Sequence, residues 1–138
     1  MPGCVLRVVS KTRNVELLAE RGRFPPLVIH TKGMPRVPGG KALSRSSGFN
    51  VRVSDADGDL QRQARDAVRF IRRHGPDIAR MRRSTSFGGL LLDFGLHYRS
   101  TRERPWPTYR LPSDLLELAA RYKIDIELSF YGFDDAPE

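Results

Sequence analysis

A single cysteine, Cys4, in 138 residues excludes an intramolecular disulfide. The three histidines, His30, His74 and His97, fall in separate segments, so no cluster of ligands at zinc spacing can be read and no cofactor is expected. No apolar run approaches the roughly 18 residues of a membrane-spanning helix. The opening Met1-Pro2-Gly3-Cys4-Val5 puts no charged segment ahead of a long apolar one. The expectation is a cytoplasmic protein with no membrane partner. Lysine is scarce as well: only Lys11, Lys32, Lys41 and Lys123 among 24 cationic residues, the others being Arg. A GC-rich genome produces that bias without selection for recognition, so the net charge of +8 is weak evidence by itself.

Leu, Ile, Val and Phe fill about a quarter of the chain, above the roughly 20% below which a charged chain stays disordered. At this length folding hides about two thirds of the unfolded surface, enough for one core without staples. One domain is expected over residues 1–138, with 31–48 as a flexible connection rich in Gly and Pro.

Periodicity sets the order of elements. Cys4 to Ser10 is β-branched and apolar, as a strand requires, and Asn14 can cap a short helix from Val15 to Glu20 with Gly22 at its end. Leu27-Val28-Ile29 reads as a second strand. Phe49, Val51 and Val53 alternate with polar residues as a third, and the aspartates of 55–59 supply caps for a helix after it. From Asp59 to His74, at about 100° per residue, Leu60, Ala64, Ala67, Val68 and Ile71 share one side of a helix. Arg62, Arg65, Arg69, Arg72 and Arg73 share the other. Gly75-Pro76 should stop this helix, with a short second one from Asp77 to Arg82. Phe87 to Tyr98 alternates Leu90, Leu92, Phe94 and Leu96 against Leu91, Asp93, Gly95 and His97. Arg99 to Arg110 is a basic loop around Trp106, Pro112-Ser113 opens another helix, and Ile124, Ile126, Leu128 and Phe130 make a last strand. The order β-α-β-β-α-β-α-β begins with the split βαβ pattern of ferredoxin-like sheets. It predicts an α+β fold: a mixed or antiparallel sheet with helices on one face, a ferredoxin-like core plus a helix and a strand.

The later half also carries a resemblance. The helix from Leu60, the Gly-Pro step, the alternating strand and L-P-S-D-L-L-E-L-A-A-R-Y-K-I-D-I-E-L-S-F-Y (Leu111 to Tyr131) together resemble a family of small bacterial domains of unknown function. That family is linked to a possible immunity role against bacterial toxins. Pro112, Ser113, Leu118, Ala119, Ile126 and Tyr131 carry the match, mostly as core and cap positions. The resemblance implies a protein-binding module and carries over no catalytic residue.

Four chemistries compete. Gly39-Gly40-Lys41 fails as a phosphate loop, which needs Gly where Pro35 stands and Ser or Thr where Ala42 stands. Asp55, Asp57 and Asp59 lack the downstream Glu of a calcium loop and fit capping better. Asp93 and His97 lie four apart on one strand and so face the same way, the minimum for general acid-base catalysis, as well as for an ordinary solvated sheet face. The larger signal is the cationic helix. Between Arg62 and Arg83 there are eight Arg against Asp66 and Asp77. Arg62, Arg65, Arg69, Arg72 and Arg73, with Trp106 in the neighbouring loop, form the candidate partner-binding set. The expected partner is another protein with an acidic surface, nucleic acid is the alternative, and a small enzyme using Asp93 and His97 is third.

Overall fold

Apolar side chains at every second position give the three central strands one buried face, and amphipathic helices cover it. The computed structural model describes residues 3–26, 28–97, 102 and 106–132. The elements run β1 (Cys4–Ser10), α1 (Val15–Gly22), β2 (Val28–His30), β3 (Ser47–Ser54), α2 (Leu60–Arg82), β4 (Phe87–His97), α3 (Ser113–Arg121) and β5 (Asp125–Tyr131). Leu27 and Tyr98, expected in the second and fourth strands, and Arg99 and Arg104 of the basic loop lie outside the described residues.

The sheet order is β2-β3-β1-β4-β5. β1 pairs antiparallel with β3 and β4, and β3 antiparallel with β2, which is the ferredoxin-like arrangement. β5 adds parallel to β4 after the α3 crossover. The expected fold class is therefore the one observed: α+β, with a mixed sheet.

Register fixes the faces. Leu6 sits opposite Val51 and Leu92, Val8 opposite Phe49 and Leu90, and all six are buried, facing α1 and α2. Their neighbours Val5, Arg7 and Val9 point to the other face, where Val9 is 42% exposed. Cys4 belongs to the buried set, and burial pushes its thiol well above the ordinary range, with Asp93 and Asp66 adding to the effect. A thiol reagent at pH 8 should therefore label Cys4 only as fast as the domain unfolds. Rapid stoichiometric labelling of native protein would contradict this packing.

The helix at Leu60 departs from expectation. Gly75-Pro76 does not end it; one helix of 23 residues runs through to Arg82. Pro76 cannot donate to the carbonyl of Arg72, but both residues are on the solvent side, where water can supply the missing donor. Gly75 is buried because Tyr122 lies over it, where a Cβ would collide with the tyrosine hydroxyl. The apolar stripe then continues through Ile78 and Met81, both fully buried, and this packing outweighs the proline.

The 31–48 connection contains a narrow turned-back ribbon. Ser44 N donates to Met34 O at 2.8 Å and Arg36 N to Ala42 O at 2.9 Å, on either side of a bridge between Pro35 and Leu43. Among the described residues no helix is long and apolar enough to cross a membrane.

Candidate partner-binding site

α2 starts where Asp59 accepts a hydrogen bond from Arg62 N at 3.1 Å, the capping role read for the aspartate cluster. Its buried stripe includes Leu60, Ala64, Ala67, Val68 and Ile71, and this orients Arg62, Arg65, Arg69, Arg72 and Arg73 outward, where all five are exposed. Neutralisation is slight. Arg69 reaches Asp66 only at 4.0 Å, and the other oxygen of that carboxylate accepts from Ser54 Oγ at 2.6 Å. Among the described residues no carboxylate pairs with Arg62, Arg65, Arg72 or Arg73 within ion-pair distance.

The face is not flat. Where α2 meets the start of α3, a cleft of about 510 Å³ opens. Arg65, Arg69 and Arg72, at positions i, i+4 and i+7, form one wall, Ala64 and Val68 the floor, and Arg110, Pro112 and Asp114 the other side. Arg110 is placed by Tyr109, whose hydroxyl donates to His97 O at 3.0 Å and whose ring centroid lies 5.6 Å from that of Phe130. Leu115 and Ala119 are buried, which fixes α3 beside α2.

The remaining candidates separate. Arg62 lines a different cleft of about 540 Å³ together with Arg52 and the carboxylates Asp55, Asp57 and Asp66. Arg73 lines a smaller one of about 190 Å³ beside Phe70 and His74, with Arg69 shared between it and the first cleft. Trp106 is 85% exposed and lines none of the three. The structure thus gathers Arg65, Arg69 and Arg72 and joins Arg110 to them. Arg110 is legible in the sequence only as part of a basic loop, because its contribution depends on how α3 docks.

Asp93 and His97 are each engaged elsewhere. Asp93, 4% exposed, accepts from Arg7 Nη2 at 2.7 Å and Nε at 3.1 Å, and from Ser129 Oγ. His97 Nε2 lies 3.0 Å from Asp57 Oδ1. Neither residue lines the clefts described above.

Near the end of the basic face, His74 Nδ1 lies 3.1 Å from Asp77 Oδ2, and Arg80 Nη1 lies 3.0 Å from Oδ1. The His74 hydrogen bond, with that of Arg80, holds the Asp77 carboxyl below its usual range. A carboxyl depressed in the folded state contributes stability that is present above its unfolded value, about 3.9, and lost as pH falls through the folded one. Asp77→Asn should therefore lower the urea midpoint at pH 7 and flatten the acid limb of a midpoint-versus-pH plot. An acid limb parallel to that of the parent protein would refute the coupling.

Comparison with protein-family models, with curated proteins and with solved structures yields no match to this chain.

Proposed function

We propose that this chain is a non-enzymatic binding module that docks an acidic protein on the exposed side of α2. One observation carries the reading: a row of outward-facing guanidinium groups, of which among the described residues only Arg69 has a carboxylate within ion-pair distance, borders a cleft of ligand-site size. Guanidinium forks match carboxylates in pairs of parallel hydrogen bonds, and complementary fields speed and orient such an encounter. A toxin with an acidic surface, in keeping with the resemblance of Leu60 to Tyr131 to immunity-linked domains, is one partner of this kind. Nucleic acid fits less well, because among the described residues no aromatic ring lines the cleft to stack a base.

The test is fluorescence anisotropy at low salt with two probes of equal length, a glutamate-rich peptide and a random-sequence oligonucleotide. The peptide should bind, and Arg65→Glu with Arg69→Glu should weaken it at least tenfold. Tighter binding of the oligonucleotide, with a log-log salt slope of about −0.9 per phosphate contacted on a duplex, would replace this reading with the nucleic-acid one.

A further inference from the structure

The cleft between α2 and α3 has more chemistry than a cationic strip needs. Its apolar surface comes from Pro112 and the edge of Val68, with Ala64 fully buried beneath, so a purely polyanionic ligand would leave apolar surface unused. Long Arg side chains add to that surface, since their methylene stems lie along the walls while the charged heads stay wet. Its volume, about 510 Å³, falls within the roughly 300–1,000 Å³ of sites that enclose ligands of several residues or ring systems.

The charges on the two sides differ. The α2 wall presents Arg65, Arg69 and Arg72. The α3 side presents Arg110 at one point and the carboxylate of Asp114 at another. Asp114 Oδ1 accepts from Leu115 N at 2.8 Å, which holds that carboxylate at the start of α3. A ligand carboxylate facing Asp114 would be repelled, whereas an aliphatic group over Pro112 would not. Arg65 and Arg72 are seven positions apart on a helix, which spans about 10 Å. About three residues of extended peptide cover that distance.

From these constraints the geometry points to a specific occupant, resting on the partner reading above: a partner's extended segment with one aliphatic side chain between acidic residues about three positions apart. The aliphatic group seats on Pro112 and the methylene stems of the arginines, over the edge of Val68. The flanking carboxylates take Arg65 on one side and Arg72 on the other, with Arg69 and Arg110 closing over the segment. Recognition is therefore of a mixed acidic-aliphatic motif, with the apolar anchor giving selectivity among acidic surfaces.

The experiment uses the full chain and three synthetic peptides of identical charge. The first has a central leucine flanked on each side by two aspartates, the second has serine in place of leucine, and the third is the first with its order scrambled so that leucine is terminal. Anisotropy at physiological salt should show the central-leucine peptide binding about tenfold more tightly than the other two, the effect expected of burying one leucine side chain. Pro112→Ser, which removes the apolar seat at an N-cap position that serine suits, should abolish that preference. Equal affinity of all three peptides, still lost in Arg65→Glu with Arg69→Glu, would overturn the motif while leaving the acidic-partner reading intact. Absence of binding by every peptide would overturn both. An unchanged leucine preference in Pro112→Ser would place the anchor outside this cleft and overturn the assignment.

Discussion

Gln63→Glu should destabilise this domain by about 3–5 kcal/mol at neutral pH and by less in acid. Gln63 is fully buried on α2, and its amide nitrogen donates to Ala56 O at 2.7 Å and to Gly95 O at 2.8 Å. Those two bonds tie the first turn of α2 to the loop after β3 and to β4. A carboxylate in the same place would face two carbonyl oxygens with no proton to give, and a buried charge left without a partner costs about 3–5 kcal/mol. Domains of this size are stable by only about 5–15 kcal/mol. Only the protonated acid can donate, so its folded pKa is raised above the unfolded value of about 4.3. Stability relative to the parent is therefore best preserved below that unfolded value and is lost as pH rises through the raised folded one. Urea melts from pH 4 to pH 8 check it, and a pH-independent gap between variant and parent would show that Gln63 is not clamped between those carbonyls.

Phe94→Ala should cost about 3–5 kcal/mol, while Val9→Ala costs little. Phe94 has no exposed surface and sits on the helix-covered side of β4, opposite Cys4 of β1 and Leu128 of β5. Its removal leaves a cavity that the surrounding strands, held by ladders on both sides, cannot close. Val9 is on a central strand too, but it points to the side away from the helices and is 42% exposed. Paired thermal or urea melts of the two variants measure whether helices cover one face of the sheet. Equal losses would mean that both faces are covered.

Periodicity in the sequence is enough to specify much of this molecule. Alternation at Leu90, Leu92, Phe94 and Leu96 requires one buried face, and the register of β1 with β3 and β4 places that face under α1 and α2. The arginines of α2 point outward for the same reason: once Leu60, Ala64, Ala67, Val68 and Ile71 are drawn into the core, helix geometry leaves the cations no other direction. Period and burial are local properties, so a single strand or helix displays them before anything else folds.

Other features are decided by contacts between segments far apart in the chain. Locally, Gly75-Pro76 is a helix stop. It becomes helix interior because Tyr122, from beyond α3, packs over the glycine, and Ile78 and Met81 gain a core to enter. Asp93 and His97 share a strand face by spacing alone. They acquire separate partners because Arg7 and Ser129 come from the neighbouring strands and Asp57 from the loop before α2. The cleft is of the same kind. Its α2 wall is written in the stretch from Arg65 to Arg72, but Arg110 and Pro112 face it only because Leu115 and Ala119 bury themselves against the helix. Local pattern fixes which side of each element is apolar, since that depends on backbone period alone. Which charges meet across a gap depends on how those apolar sides pack together, and that is settled only when the whole chain folds.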